Sequence, residues 1–168
     1  PRVVADQTPI YKHRLTIDDA TERLQGFYFP YHEKLKSLIN QTETSFKKVI
    51  LLDCHSMPMS SVNVARKRDP VEVVLGDCFG RSCEPEIVIE LKNLLTEVGF
   101  KVSLNKPFSG GFITKNYANL PNNIYVIQIE ILRSLYSYEK QQTKNSKFQS
   151  IQNRLLGAIE QFIKRFED

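Results

Sequence analysis

Lys48-Val49-Ile50-Leu51-Leu52-Asp53-Cys54-His55-Ser56-Met57-Pro58 is the stretch that organises the chain: an unbroken apolar run ends abruptly in Asp53, Cys54, His55 and Ser56. A run this short and this rich in Val, Ile and Leu reads as a strand buried on both faces. Such strands sit in the middle of parallel sheets, and open α/β sheets bind ligands outside the carboxyl ends of their strands. His55 falls at such an end. From this segment alone, a capping or packing histidine in a β-to-α loop accounts for it equally well. Cys54, inside the strand, reads as a small core residue.

Downstream, Val71–Leu75, Phe100–Leu104 and Ile124–Ile131 repeat the strand signal. Ser60 to Asn63 and the basic cluster Arg66-Lys67-Arg68, closed by Pro70, read as an exposed loop. Gly76-Asp77-Cys78-Phe79-Gly80 turns the chain. Pro85 suits the first turn of a helix with Ile87, Leu91, Leu94, Leu95 and Val98 on its apolar face and Gly99 at its carboxyl end. Asn105 to Thr114, with Gly110 and Gly111 inside it, is a loop whose paired glycines serve a turn or a close approach to a ligand. In the last strand Gln128 and Glu130, two residues apart, share one face of an otherwise apolar segment. A carboxylate there is costly unless paired, so Glu130 is either the partner of nearby Arg133 or a general base.

Upstream of the organising strand, Thr16 and Asp19 form a capping pair for a helix striped with Ala20, Leu24, Phe27, Tyr31, Leu35 and Leu38. Pro30 inside it predicts a kink or a break, and His32 borders the stripe. A closing helix, with Ser146 and Gln149 at capping-box spacing, carries Phe148, Ile151, Leu155, Ile159, Phe162 and Phe166 toward the sheet.

The 168 residues, 41% hydrophobic and 25% charged, suit one soluble α/β domain over 1–168. No apolar stretch approaches the ~20 residues of a membrane span and no signal peptide opens the chain, so a cytoplasmic protein with no membrane partner is expected. A net charge of +4 from scattered basic residues points to an anionic small-molecule substrate rather than nucleic acid. Three cysteines without a CxxC pair argue against a disulfide framework or a zinc ribbon. Oligomeric state is not legible. The opening Pro1-Arg2-Val3, without an initiator methionine, suggests a missing upstream portion.

Taken together, Leu52-Asp-Cys-His-Ser-Met-Pro58, Leu75-Gly-Asp-Cys-Phe-Gly80, Asn105-Lys-Pro-Phe-Ser-Gly-Gly111 and Gln128-Ile-Glu-Ile-Leu-Arg133 followed by Leu135-Tyr136 resemble the N-formylglutamate amidohydrolase family. Ile10-Tyr11 and Pro30-Tyr31-His32 fit as well, and the resemblance runs from Pro1 to about Tyr138. It implies a three-layer, zinc-carboxypeptidase-like (phosphorylase/hydrolase-like) α/β fold with a central mixed sheet, its amino-terminal part missing. The implied reaction is hydrolysis of N-formyl-L-glutamate to formate and glutamate in histidine breakdown.

By this resemblance His55 supplies a zinc ligand, Glu130 is the general base, and Ser56, Asn105, Gly110, Gly111, Thr114 and Arg133 line the substrate site. A catalytic zinc takes about three protein ligands and lowers the pKa of its bound water to ~7. The family's His-Ser-Gly segment, the acid that completes its metal site and its substrate Asn-Arg pair have no counterpart here. Leu132 and Ala118 stand where asparagine and glycine are common. The expectation is therefore the carboxyl-terminal portion of such an enzyme, with three alternatives: the same chemistry on another N-acyl amino acid, the same chemistry on a peptide, or a decayed non-catalytic relative.

Overall fold

The structure, a computed structural model, describes residues 9–62 and 70–166. The chain divides into two compact units, Pro1–Ser45 and Phe46–Asp168.

In the first unit the Thr16 hydroxyl accepts from the Asp19 N–H at 3.1 Å, and the Asp19 carboxylate accepts from the Thr16 N–H at 3.0 Å. This capping box starts α1 (Ile17–Arg23) as the sequence predicts. The expected break at Pro30 is instead a π-helical turn, Leu24–Tyr28, leading without interruption into α2 (Phe29–Phe46). Pro30 has no N–H and its ring crowds the carbonyl of Gly26; a wider turn, with the Phe29 N–H reaching back to the Leu24 carbonyl, accommodates both. The apolar stripe is present but largely uncovered, with Phe27 75% and Tyr31 56% exposed, while Ile39 is buried. His32 packs its ring against Tyr28 and Tyr31, at centroid distances of 4.2 and 5.1 Å.

The second unit holds β1 (Val49–Met57), β2 (Val73–Gly76), α3 (Pro85–Glu97), β3 (Val102–Leu104), α4 (Phe112–Tyr117), β4 (Ile124–Leu132), β5 (Ser137–Tyr138), β6 (Thr143–Lys144) and α5 (Phe148–Lys164). Four strands form a mixed sheet in the order β1-β4-β2-β3. β4 runs parallel to β1 and antiparallel to β2, and β2 runs parallel to β3. Alternation along β4 sends Tyr125, Ile127 and Ile129 to one face, where they join Leu91 and Leu95 of α3 and Ile151 and Phe162 of α5 in the core. Burying a side chain such as Phe162 contributes about 1.5–3 kcal/mol. α3 starts with Pro85 at its first turn, and just beyond its carboxyl end Gly99 takes a φ of +90° that only glycine adopts freely.

Several expectations are corrected. β1 is an edge strand among the described residues, not a central one, because β4 takes the central place. Its carboxyl half is open, so Cys54 is exposed rather than a core residue. Apolar composition marks a strand for burial without saying which strand is central. The Ser146–Gln149 box does not form: the Asn145 side chain accepts from the Lys147 N–H at 2.9 Å, and the Gln149 amide turns to Gln152 and Asn153. α4 and the β5–β6 hairpin, both short, arise in segments whose patterns carry no strong period. The predicted basic loop lies mostly in 63–69, outside the described residues. No helix among the described residues is long and apolar enough to cross a membrane.

Candidate active site

The sheet register assembles the site. Residues of period two on β1 and β4 face away from α3 and α5, and the parallel pairing sets Asp53 beside Gln128 and His55 beside Glu130. On the other side of β4, Gly76 lies beside Gln128 and Val74 beside Glu130. The polar ends of two apolar strands thus meet as four neighbouring side chains on one face.

Glu130 and Gln128 are both buried, at 7% and 5% exposure. The Gln128 amide donates to Glu130 Oε1 at 3.0 Å, whereas Glu130 Oε2 is buried with no hydrogen-bond partner. Burial pushes the Glu130 carboxyl above its ordinary range; His55 offsets this, Asp53 adds to it, and Arg133 and the Gln128 bond offset it further. Glu130 is therefore not the salt-bridged partner of Arg133. That guanidinium donates instead to Ser56, through Nε to the hydroxyl at 3.1 Å and Nη2 to the carbonyl at 3.4 Å, tying the ends of β4 and β1 together.

His55 is exposed and bonds through Nε2 to Asp53 Oδ1 at 3.0 Å, while Asp53 Oδ2 is buried without a partner. A carboxylate acceptor engages Nε2, which leaves Nδ1 as the ring nitrogen that Asp53 does not meet.

The glycine loop closes over β2. A Cβ on Gly76 would stand 2.7 Å from the backbone N of Gly110, one on Gly110 would stand 2.8 Å from Cys78 Sγ, and one on Gly111 would stand 3.2 Å from Gln128 Oε1. The Asn105 side chain faces inward: its Oδ1 accepts from the N–H groups of Asp77 and Phe79 at 3.1 and 3.3 Å, and its Nδ2 donates to Asp77. Fully buried Thr114 accepts from the Gly111 N–H at 3.2 Å and starts α4.

The fold therefore brings His55 and Glu130 together, joins Ser56 to Arg133, and sets Gly111 against the neighbour of Glu130. Asn105 and Thr114 shape the loop from inside. Asp77, buried at 5% exposure, is absent from the sequence-based candidates. Its signal was an acid directly after the four apolar or glycine residues Val73–Gly76.

A zinc ion is a stringent test of this donor set. His55 offers one free nitrogen, and the orphaned oxygens of Asp53 and Glu130 lie on the same face. Yet no group of three or more His, Cys, Asp or Glu side chains among the described residues is placed to hold a metal ion. A catalytic zinc needs about three protein ligands, so these residues alone do not fit one.

N-formylglutamate deformylase of Pseudomonas putida is 27% identical over 142 residues, 83% of this chain and 53% of that protein. The deformylase of Pseudomonas aeruginosa is 24% identical over 143 residues, with the same coverage of 83% and 53%. The chain spans about half the length of these curated relatives. The crystal structure of N-formylglutamate amidohydrolase from Ralstonia eutropha superposes with a TM-score of 0.89 at 29% identity, covering 98% of this chain and 60% of that one. A gene product of Agrobacterium tumefaciens shares the fold at a TM-score of 0.63 and 19% identity, covering 96% and 62%. The sequence model of the family described as N-formylglutamate amidohydrolase matches residues 1–137, and with four-fifths of its length so matched this chain belongs to that family.

Proposed function

We propose that this chain carries the base-bearing part of a site that hydrolyses the formamide of N-formyl-L-glutamate to formate and glutamate. The observation that carries the reading is Glu130: a buried carboxylate at a strand end, one oxygen held by Gln128 and the other without a partner, beside His55. A water at Oε2 would lose a proton to Glu130 as its oxygen attacks the formyl carbon. Glu130 would then pass that proton to the amide nitrogen as the C–N bond breaks. A carboxylate held above its ordinary range is a stronger base than a free one, which suits this step.

Arg133 and Ser56, joined at the strand ends, suit a substrate carboxylate because a guanidinium fork matches its two oxygens. Asp53 fixes the His55 ring. No step here runs through a metal, because the described residues do not make up a zinc site. Zinc enters the proposal as the expectation of the resemblance, which assays with added zinc and with chelator address.

The test is formate release from N-formyl-L-glutamate by the wild-type chain and by Glu130→Gln. Turnover should fall about 10²–10⁴-fold in the variant; a change within a few-fold would remove Glu130 from the role of base. One observation favours a second reading, a module that binds an N-acyl amino acid without turnover: the described residues lack a three-donor metal group. Calorimetry that detects N-formylglutamate binding where no formate appears would select it.

A further inference from the structure

The reaction as proposed gives Gln128 no step of its own, yet its side chain is buried against the base. It is 5% exposed, and its amide nitrogen faces Glu130 Oε1 at 3.0 Å. The amide presents its N–H to Glu130, and its carbonyl oxygen points the other way. That oxygen lies against Gly111, where a Cβ would stand 3.2 Å away. Gly111 in turn is fixed by its N–H bond to fully buried Thr114. A connected line thus runs from the start of α4 through Gly111 and Gln128 to the carboxylate.

We infer that Gln128 is the positioning residue of the Glu130 base, and that Gly111 acts through it by leaving the space its amide needs. The bond occupies Oε1, so Oε2 becomes the oxygen that meets a proton. It also stops the carboxylate from rotating out of the sheet face. This inference rests on the functional reading above and deepens it: Gly111, which the resemblance implies lines the substrate site, instead holds up the base from behind.

Two measurements test it. In the first, steady-state kinetics on N-formyl-L-glutamate are compared for wild type, Gln128→Met, Gly111→Ala and the double variant. Gln128→Met keeps the length of the side chain and removes the donor, so kcat should fall about 10–100-fold with KM changed less than about threefold. Gly111→Ala should lower kcat about 3–10-fold, and the double variant should be no slower than Gln128→Met, because residues acting through one contact are not additive. Multiplying effects, or a rise in KM that dominates in Gly111→Ala, would overturn the inference and place Gly111 against substrate.

The second measurement does not depend on turnover. The Gln128 side-chain amide protons, observed by ¹⁵N–¹H NMR, should be protected from exchange in wild type and lose protection in both Glu130→Ala and Gly111→Ala. Protons that exchange freely in wild type, or that are unmoved by Gly111→Ala, would overturn it. A wild-type chain without deformylase activity would count against the functional reading alone, since the amide spectrum still decides whether Gln128 holds the carboxylate.

Discussion

Glu130 is ionised at a cost. Its carboxyl sits above its ordinary value of 4.5 because burial outweighs the help of His55, Arg133 and Gln128. The folded state therefore holds this proton more tightly than the unfolded chain does. The contribution of Glu130 to stability is fully present below the unfolded value and is lost as pH rises from there through the raised folded one. Denaturation midpoints followed from pH 4 upward should show this decline in wild type and a flatter course in Glu130→Gln; identical courses would mean that burial does not perturb the group. The same shift places the acid limb of the rate profile above the ordinary carboxylate range, since the base works only when ionised. Arg133 has a separate signature. Arg133→Met should raise KM for N-formylglutamate about 10–100-fold with a smaller change in kcat, as loss of a charge-assisted fork affects substrate and transition state alike. A fall in kcat at constant KM would assign Arg133 to the chemical step instead.

Among the elements, the turn after β2 and the loop after β3 depend on one side chain. Asn105 satisfies two N–H groups of the Asp77–Phe79 turn and bonds the Asp77 carboxylate, from a backbone φ of +58° that asparagine tolerates better than most residues. Asn105→Ala should destabilise the chain by about 2–4 kcal/mol, by leaving turn N–H groups unpaired and straining the backbone. Chemical denaturation checks it, and a loss under about 0.5 kcal/mol would show that the turn holds without the side chain.

These elements also show how far a sequence is legible. Val49–Leu52 announced β1, and the alternation around Gln128 and Glu130 announced a polar pair on one strand face, because side-chain period is a local property. Their meeting was not local: only the parallel register of β1 and β4 sets His55 beside Glu130. The edge position of β1 was hidden for the same reason, since strand order follows from packing between segments far apart in the chain. Pro30 marks a disturbance of the helix, and a π-turn absorbs it in place of a kink or a break. Asn105 and Thr114 are legible as special residues, yet their partners, the Asp77–Phe79 turn and the Gly111 N–H, depend on neighbours that spacing does not reveal.

For the molecule as a whole, the relatives of nearly twice the matched length bear on the metal question. The site face offers one free imidazole nitrogen and two orphaned carboxylate oxygens without a grouped set of three donors. The chain purified without chelators should accordingly hold far less than one zinc per molecule by elemental analysis. Near-stoichiometric zinc would mean that further donors complete the site.

The central claim, that Glu130 is the base of a formamide hydrolase, is tested most directly by formate release from N-formyl-L-glutamate under multiple turnover, comparing wild type with Glu130→Gln, with and without added zinc. The account expects formate from wild type and a rate about 10²–10⁴-fold lower in the variant. Equal rates for the two, or no formate from wild type under either condition, would contradict it.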